Sequence, residues 1–297
     1  MSIFKSGYIT VIGVPNVGKS TLLNRIIGEK VVITSEKPQT TRNVIRAMFN
    51  RDDCQIIFVD TPGIHYYANV YNQHMTKMAM KSLSDIDLIY HMVDAGDFET
   101  EENKKIYETL KQIKTPAFLI INKMDLLNRE EQLEIIDRYS KLGDYNEYIP
   151  ISALTGLNID NLIQTTLKYL PEGQPYFPSD ILTDKNERFV VGELIREKVL
   201  QLVHQEVPHS IAVVVEEFKE RPNNIIYILA TIYVERDSQK GIIIGNNGQM
   251  LKKIGQLARE DIEGLLGCKV YLELYAKVRK NWRKNINDLK EFGYFDR

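Results

Sequence analysis

The stretch "GVPNVGKS", residues 13–20, constrains the fold of this chain more than any other part of it. It fits the spacing G-x-x-x-x-G-K-S, follows the apolar run "YITVIGV" and opens "KSTLLNRIIG", a segment with helical periodicity. A strand, a glycine turn and a helix in that order gather backbone N–H groups into a concave anion site at a helix N-terminus. The runs "VIRAMFN", "QIIFVD", "DLIYHMVDA", "AFLIINK" and "EYIPISA" follow, separated by polar segments, most of helical period. Strands alternating with helices predict an α/β domain: a mostly parallel sheet with helices on both faces and its ligand beyond the carboxyl ends of the strands.

The chemistry assigns roles within the turn. Gly13, Val14, Pro15, Asn16, Val17 and Gly18 offer backbone to a phosphate chain, and Lys19 reaches its outer phosphates. Ser20, followed by Thr21, supplies a hydroxyl ligand for Mg²⁺. "DTPG" (Asp60, Thr61, Pro62, Gly63) ends the strand "QIIFV". There Asp60 is placed to hold Mg²⁺ through water, and the Gly63 N–H to sense a terminal phosphate.

"NKMD" (Asn122, Lys123, Met124, Asp125) follows "AFLII" and carries base selectivity. An ionised aspartate only accepts hydrogen bonds, so Asp125 suits guanine, which offers N1–H and an amine side by side. Adenine offers no such pair, and a buried polar site rejects a ligand that leaves it unpaired. Asn122 and Lys123 are expected to support the base plane and the phosphate loop. In "SAL" (Ser152, Ala153, Leu154) the Ala153 N–H is expected to meet the guanine O6.

The 297 residues are 43% hydrophobic and 26% charged, which suits two globular domains and excludes a disordered chain. Two cysteines argue against a disulfide framework and fit a reducing compartment. The start lacks the pattern of a signal peptide, and the longest apolar run, "IIYILATIYV", is about half of a membrane span. A cytoplasmic protein is expected, with peripheral membrane contact left open.

"PEGQPYFPSD" breaks the helix–strand alternation. The sequence divides into a nucleotide-binding domain over 1–172, a linker over 173–182 and a second domain over 183–297. In the second, the elements read helix, strand, strand, helix, helix, strand. Between its last two helices lies "IIIGNNGQ". Charge shifts there too: residues 1–170 carry 19 basic and 21 acidic side chains, 171–250 carry 8 and 12, and 251–297 carry 11 and 7. A local basic excess on a chain of net charge −2 points to a specific polyanion site.

"GVPNVGKSTLLN", "TTR", "DTPG", "NKMD" and "SAL", in that order, resemble the translation-factor-related GTPases, and among them the bacterial ribosome-assembly GTPases. That resemblance implies GTP and GDP as ligands and places the first switch within residues 31–49, where Thr41 would ligate Mg²⁺ when the terminal phosphate is present. Lys19, Thr41 and Gly63 are the implied catalytic set. Signalling GTPases carry a water-orienting glutamine after the D-x-x-G motif; here that position is Ile64. Slow intrinsic hydrolysis is therefore expected, with the water placed by backbone, an ion or a partner. Asn16 matches a residue associated with a K⁺ site in related GTPases, which implies K⁺ as an additional ion.

The second domain looks like a type II KH domain, whose Gly-x-x-Gly loop lets a nucleic-acid backbone approach closely. RNA contacts are expected from Ile244, Gly245, Asn246, Asn247, Gly248, Lys252 and Lys253. The cluster "KVRKNWRK" adds Lys277, Arg279 and Lys280, and Ile228, Ala230 and Ile232 are expected to line a groove for unstacked bases. A P-loop GTPase joined to a type II KH domain is similar to the Era family of ribosome-assembly GTPases; "ITSEKPQTTR", "PISALTGLN", "REK" and "FGY" extend the likeness over nearly the whole chain. The resemblance implies a monomeric factor that binds small-subunit ribosomal RNA near its 3′ end, assists small-subunit assembly and touches the inner membrane peripherally. Family members often carry a lysine inside the Gly-x-x-Gly loop, whereas this loop is Asn-Asn. Two other readings stand beside it: an RNA-binding scaffold with GTP as a regulatory ligand only, and a membrane-associated signalling GTPase whose second domain binds protein.

Overall fold

The computed structural model describes residues 3–34, 45–60, 86–96, 100–141, 143–203 and 210–293. It divides into two compact units, Met1–Val32 with Thr41–Asp184, and Ile33–Thr40 with Lys185–Arg297.

In the first unit β1 (Lys5–Ile12) leads to α1 (Lys19–Ile27), then β2 (Ile45–Arg51), β3 (Cys54–Asp60) and β4 (Leu88–Asp94). There follow α2 (Glu101–Leu110), β5 (Ala117–Asn122), α3 (Arg129–Ser140), β6 (Glu147–Pro150) and α4 (Ile159–Tyr169). The sheet order is β2-β3-β1-β4-β5-β6, with only β2 antiparallel to its neighbour. Alternate residues along each strand enter two different cores. Leu88, Tyr90 and Met92 of β4 and Phe118 and Ile120 of β5 pack with Leu22, Leu23 and Leu162 from α1 and α4. Ile89, Val93, Leu119 and Ile121 pack with Ile106, Leu110 and Tyr139 from α2 and α3. A sheet buried on both faces needs apolar residues at every position, which is why these strands appear as unbroken hydrophobic runs. The parallel direction sets the ends of β1, β3, β4, β5 and β6 along one edge.

The proline-rich segment is not a free tether. The buried Gln55 accepts the Tyr176 and Phe177 N–H groups at 2.7 and 3.0 Å and donates to the Phe177 carbonyl. Met48 N–H donates to the Leu182 carbonyl, and single bridges join Lys5 to Glu172 and Ala47 to Thr183. Proline cannot enter a central strand, but here part of the segment runs beside β2, the edge strand of the sheet, where unpaired edge groups need partners.

The second unit runs α5 (Glu187–Leu202), β7 (Ala212–Arg221), β8 (Ile225–Val234), α6 (Asp237–Ile244), α7 (Gln249–Leu266), β9 (Lys269–Val278) and α8 (Ile286–Glu291). Its sheet order is β7-β8-β9, antiparallel then parallel. One face packs on the helices: Ile228, Ala230, Ile232 and Val234 meet Val191, Ile195, Val199, Ile254, Ala258 and Ile262. The expectation that Ile228, Ala230 and Ile232 line an open groove is therefore corrected, since all three are fully buried core residues. On α5 even charged residues are inside, each with a partner: Arg196 pairs with Glu193, and Lys198 with Glu197 and Asp261. Ile33 joins this core, and Thr34 donates its N–H and hydroxyl to Glu197.

Candidate functional site

The phosphate turn joins β1 to α1. Gly18 caps α1 at φ 103°, and a Cβ there would lie 2.4 Å from the Asn122 amide. No side chain can fit in that space, so the turn can close on β5 only with glycine at this position. Lys19 Nζ donates to the Gly13 and Val14 carbonyls, both at 2.8 Å, which folds the lysine back over the turn. The helix N-terminus has neither a side-chain cap nor an acidic residue in its first turn. By contrast α2, α3, α5 and α8 begin at Thr100, Asn128, Asn186 and Asn285, whose side chains accept the first N–H groups. An uncapped helix start leaves donors and the positive end of the dipole available to an anion. Ser20 and Thr21 are partly buried in that first turn.

Asn122 ends β5 and is almost fully buried. Its amide donates to the Val17 carbonyl at 2.7 Å and its Oδ1 accepts the Ala153 N–H at 2.9 Å. One side chain thus ties the phosphate turn, the "NKMD" turn and the "SAL" turn together. The Ala153 N–H, expected to face guanine O6, is committed to Asn122; the Leu154 N–H has no partner among the described residues. Ser152 is buried and shapes the turn, accepting the Thr155 N–H on Oγ and the Gly156 N–H on its carbonyl. Lys123 has φ 66°, a left-handed conformation uncommon for lysine, and its ammonium meets Asp94 Oδ2 at 2.5 Å. Met124 is buried beneath the turn, and its N–H donates to the Ile151 carbonyl. The Asp125 side chain is exposed and has no partner among the described residues.

Asp60 occupies the last position of β3, on the same sheet edge; Thr41, Thr61, Pro62, Gly63 and Ile64 lie outside the described residues. Three contributors escaped the sequence reading. Asp94 sits at the end of β4 opposite Asn122, and the strand-end carboxylate rule that singles out Asp60 applies to it equally. Asn24 on α1 accepts the Val31 and Val32 N–H groups and donates to the Val32 carbonyl, shaping the exit toward residue 33. Arg25, beside it, donates to the Ala153 and Leu154 carbonyls. A helix residue reaching a loop 128 positions away leaves no sequence signal.

In the second unit α6 ends at Gly245 (φ 71°, ψ −177°), a short 3₁₀ turn spans Asn246–Gly248, and α7 starts after Gly248 at φ 77°. Asn247 itself is at φ 49°, where asparagine is enriched over other side chains. The second asparagine of the pair thus has a backbone reason. Like α1, α7 has no side-chain cap and no acid in its first turn. Lys252 and Lys253 are exposed on it, without partners among the described residues. Of Ile242–Ile244, Ile243 is buried, Ile244 half-buried and Ile242 exposed. The basic cluster further on is largely neutralised: Arg279 pairs with Asp288 and Glu291, Arg283 with Glu235, and Lys277 with Glu216 at 3.5 Å. Trp282 is buried and donates to the Ser210 carbonyl. Lys280 remains exposed.

The sequence matches two family models: one described as a 50S ribosome-binding GTPase over residues 8–123, and a KH domain over residues 206–283. It is 53% identical to GTPase Era of Geotalea daltonii and 50% identical to that of Geotalea uraniireducens, each over 98% of both chains. The chain belongs to the Era family of GTPases. A solved structure of Aquifex aeolicus Era with GDP and AlF₄⁻ superposes with a TM-score of 0.93 at 42% identity, covering 98% of this chain and 99% of that one. Era in complex with MgGDPNP and nucleotides 1506–1542 of 16S ribosomal RNA matches with the same score, identity and coverage. As an Era-family GTPase the chain is a P-loop nucleotide hydrolase followed by a KH domain, and among the described residues the α-helix starts with neither a side-chain cap nor a first-turn acid, those of α1 and α7, fall one in each.

Proposed function

We propose that this chain is a GTP-hydrolysing switch that binds small-subunit ribosomal RNA near its 3′ end and assists small-subunit assembly. The observation that carries this is the likeness, over 98% of the chain, to an Era complex that holds both a GTP analogue and 16S RNA. The broader family description names the large subunit, but that complex, with 16S RNA bound, favours the small one.

In this reading the 13–21 turn and the open start of α1 bind the phosphates, with Lys19 swinging from the carbonyls it now meets to the outer phosphates. Ser20, Thr41 and Asp60 would hold Mg²⁺, an oxygen donor set suited to a hard cation. Bound there, Mg²⁺ offsets charge on the phosphate oxygens. Gly63 would donate its N–H to the terminal phosphate, and the apolar Ile64 leaves water placement to backbone, to K⁺ beside Asn16 or to the RNA. Asp125 accepts from the guanine edge, Lys123 flanks the base, and Asp94 holds Lys123. The RNA strand lies on Ile244–Gly248 with Lys252, Lys253 and Lys280 nearby; Lys277 and Arg279 contribute less, because carboxylates already oppose them.

The protein is read as monomeric and cytoplasmic with peripheral inner-membrane contact; no helix among the described residues is long and apolar enough to cross a membrane. Single-turnover GTP hydrolysis, with and without an RNA carrying the 3′ end of the small-subunit sequence, tests the proposal. Hydrolysis that accelerates with RNA supports it. No turnover in either condition reduces the chain to an RNA-binding scaffold, and failure to bind that RNA favours a protein-binding second domain.

A further inference from the structure

We infer that Arg25 is a positioning residue for guanine recognition. The inference rests on reading residues 122–125 and 152–154 as the base site.

Arg25 lies on the exposed side of α1, six positions after Lys19, so it belongs to the same helix that begins at the phosphates. An exposed arginine usually meets a carboxylate or water. This one instead spans to two consecutive carbonyls of one loop, Nε to Ala153 at 3.3 Å and Nη2 to Leu154. Gly156 stands beneath its stem: a Cβ there would come 3.8 Å from Arg25 Cδ.

The consequence follows from peptide geometry. In a trans peptide the carbonyl of one residue and the N–H of the next point in opposite directions. Holding the Ala153 carbonyl toward α1 therefore turns the Leu154 N–H away from α1. Holding the Leu154 carbonyl turns the Thr155 N–H likewise, and that group is taken up by Ser152 Oγ. The Ala153 N–H is taken up by Asn122. Leu154 N–H is left as the donor of this turn that is oriented and not consumed within it. Guanine differs from 2-aminopurine by the acceptor O6 and by the N1–H beside it; the N1–H falls to Asp125, and an oriented N–H is what reads O6. Arg25 touches neither base nor phosphate; it acts by fixing this peptide.

The test is a thermodynamic cycle on the full-length protein. GDP, inosine diphosphate and 2-aminopurine riboside 5′-diphosphate are titrated against the wild type, Arg25→Met, which keeps the stem without the donors, and Arg25→Lys. Inosine keeps O6 and N1–H and lacks the amine; 2-aminopurine keeps the amine and lacks both O6 and N1–H. In the wild type, 2-aminopurine diphosphate binds roughly a hundredfold or more weakly than GDP, since it forfeits both the O6 and the N1–H hydrogen bonds. Arg25→Met weakens GDP and inosine diphosphate about tenfold alike but 2-aminopurine diphosphate less than about twofold, with Arg25→Lys between. An equal loss for all three nucleotides, or none, overturns the role of Arg25, whether or not the melting temperature moves. A wild type that binds GDP and 2-aminopurine diphosphate equally overturns the base-site reading itself.

Discussion

The side-chain amide of Asn122 donates to the main-chain carbonyl of Val17 across 2.7 Å, joining the end of β5 to the phosphate turn. Asn122→Ala removes this bond and the one from Ala153, leaving a buried carbonyl and a buried N–H unpaired. Each orphan costs about 1–3 kcal/mol, so GDP affinity is expected to fall by well over tenfold. The melting temperature of the GTPase unit falls by several degrees as well. Fluorescent-nucleotide titration and far-UV circular dichroism check both; a variant that loses affinity at unchanged melting temperature would show the bonds form only with nucleotide.

Asp125→Asn exchanges an acceptor-only group for one that also donates. Xanthine presents a carbonyl where guanine has its amine, so the variant is expected to weaken GTP by about 2 kcal/mol or more and to favour XTP. Competition between GDP and XDP for the variant measures it, and an unchanged preference for guanine would remove Asp125 from the base site.

Most of the first unit was legible because its sheet is buried on both faces. Runs such as Leu88–Val93 have no polar interruption except His91, and a buried parallel strand has few alternatives. The ligand edge was legible because glycine and aspartate are disfavoured in strands, and at the ends of buried apolar runs they mark where a ligand meets the sheet. Arg25 and the engagement of Arg279 by Asp288 and Glu291 were not, because a pairing across the fold depends on where side chains arrive, and composition records only that they exist. The same limit hid the anchoring of the proline-rich segment by Gln55. Ile228, Ala230 and Ile232 misled for a related reason: an apolar strand face looks alike whether it lines a groove or meets a helix.

His91 makes the GTPase unit acid-sensitive. It is fully buried on β4, with Nδ1 on the Tyr145 hydroxyl at 2.6 Å and the Asn103 side chain beside the ring, which only partly opposes the effect of burial. Burial pushes its pKa down from the ordinary 6.5 to about 4. The unfolded imidazole takes up a proton more readily than the folded one, so stability is full above the unfolded value and is lost as pH falls toward the folded value. By pH 4 the loss attributable to His91 is about 3 kcal/mol. Urea unfolding between pH 7 and pH 4 should show a shallower pH dependence in His91→Gln than in the wild type; parallel curves would mean that other groups carry the acid sensitivity.

The glycines flanking Asn246–Asn247 are expected to differ in what they tolerate. At Gly245 a Cβ would lie 2.6 Å from Met250 Cβ and 3.0 Å from its nitrogen, at backbone angles essentially reserved for glycine. Gly245→Ala should therefore destabilise the KH unit by about 1–3 kcal/mol or more, and lost RNA binding there says little about contact. At Gly248 nothing lies within 4 Å of the Cβ position, and only the φ of 77° resists a side chain. Gly248→Asp carries that conformational cost, about 1–2 kcal/mol, partly offset by a carboxylate at an otherwise uncapped helix start. Its charge faces the phosphates that Lys252 and Lys253 are expected to attract. The expected result is an RNA affinity at least about tenfold lower, GTP binding unchanged, and an unfolding midpoint, read from the buried Trp282, within a few degrees of wild type. Anisotropy of a labelled RNA at fixed low salt measures the affinity. Wild-type affinity in Gly248→Asp would place the RNA elsewhere on the second unit.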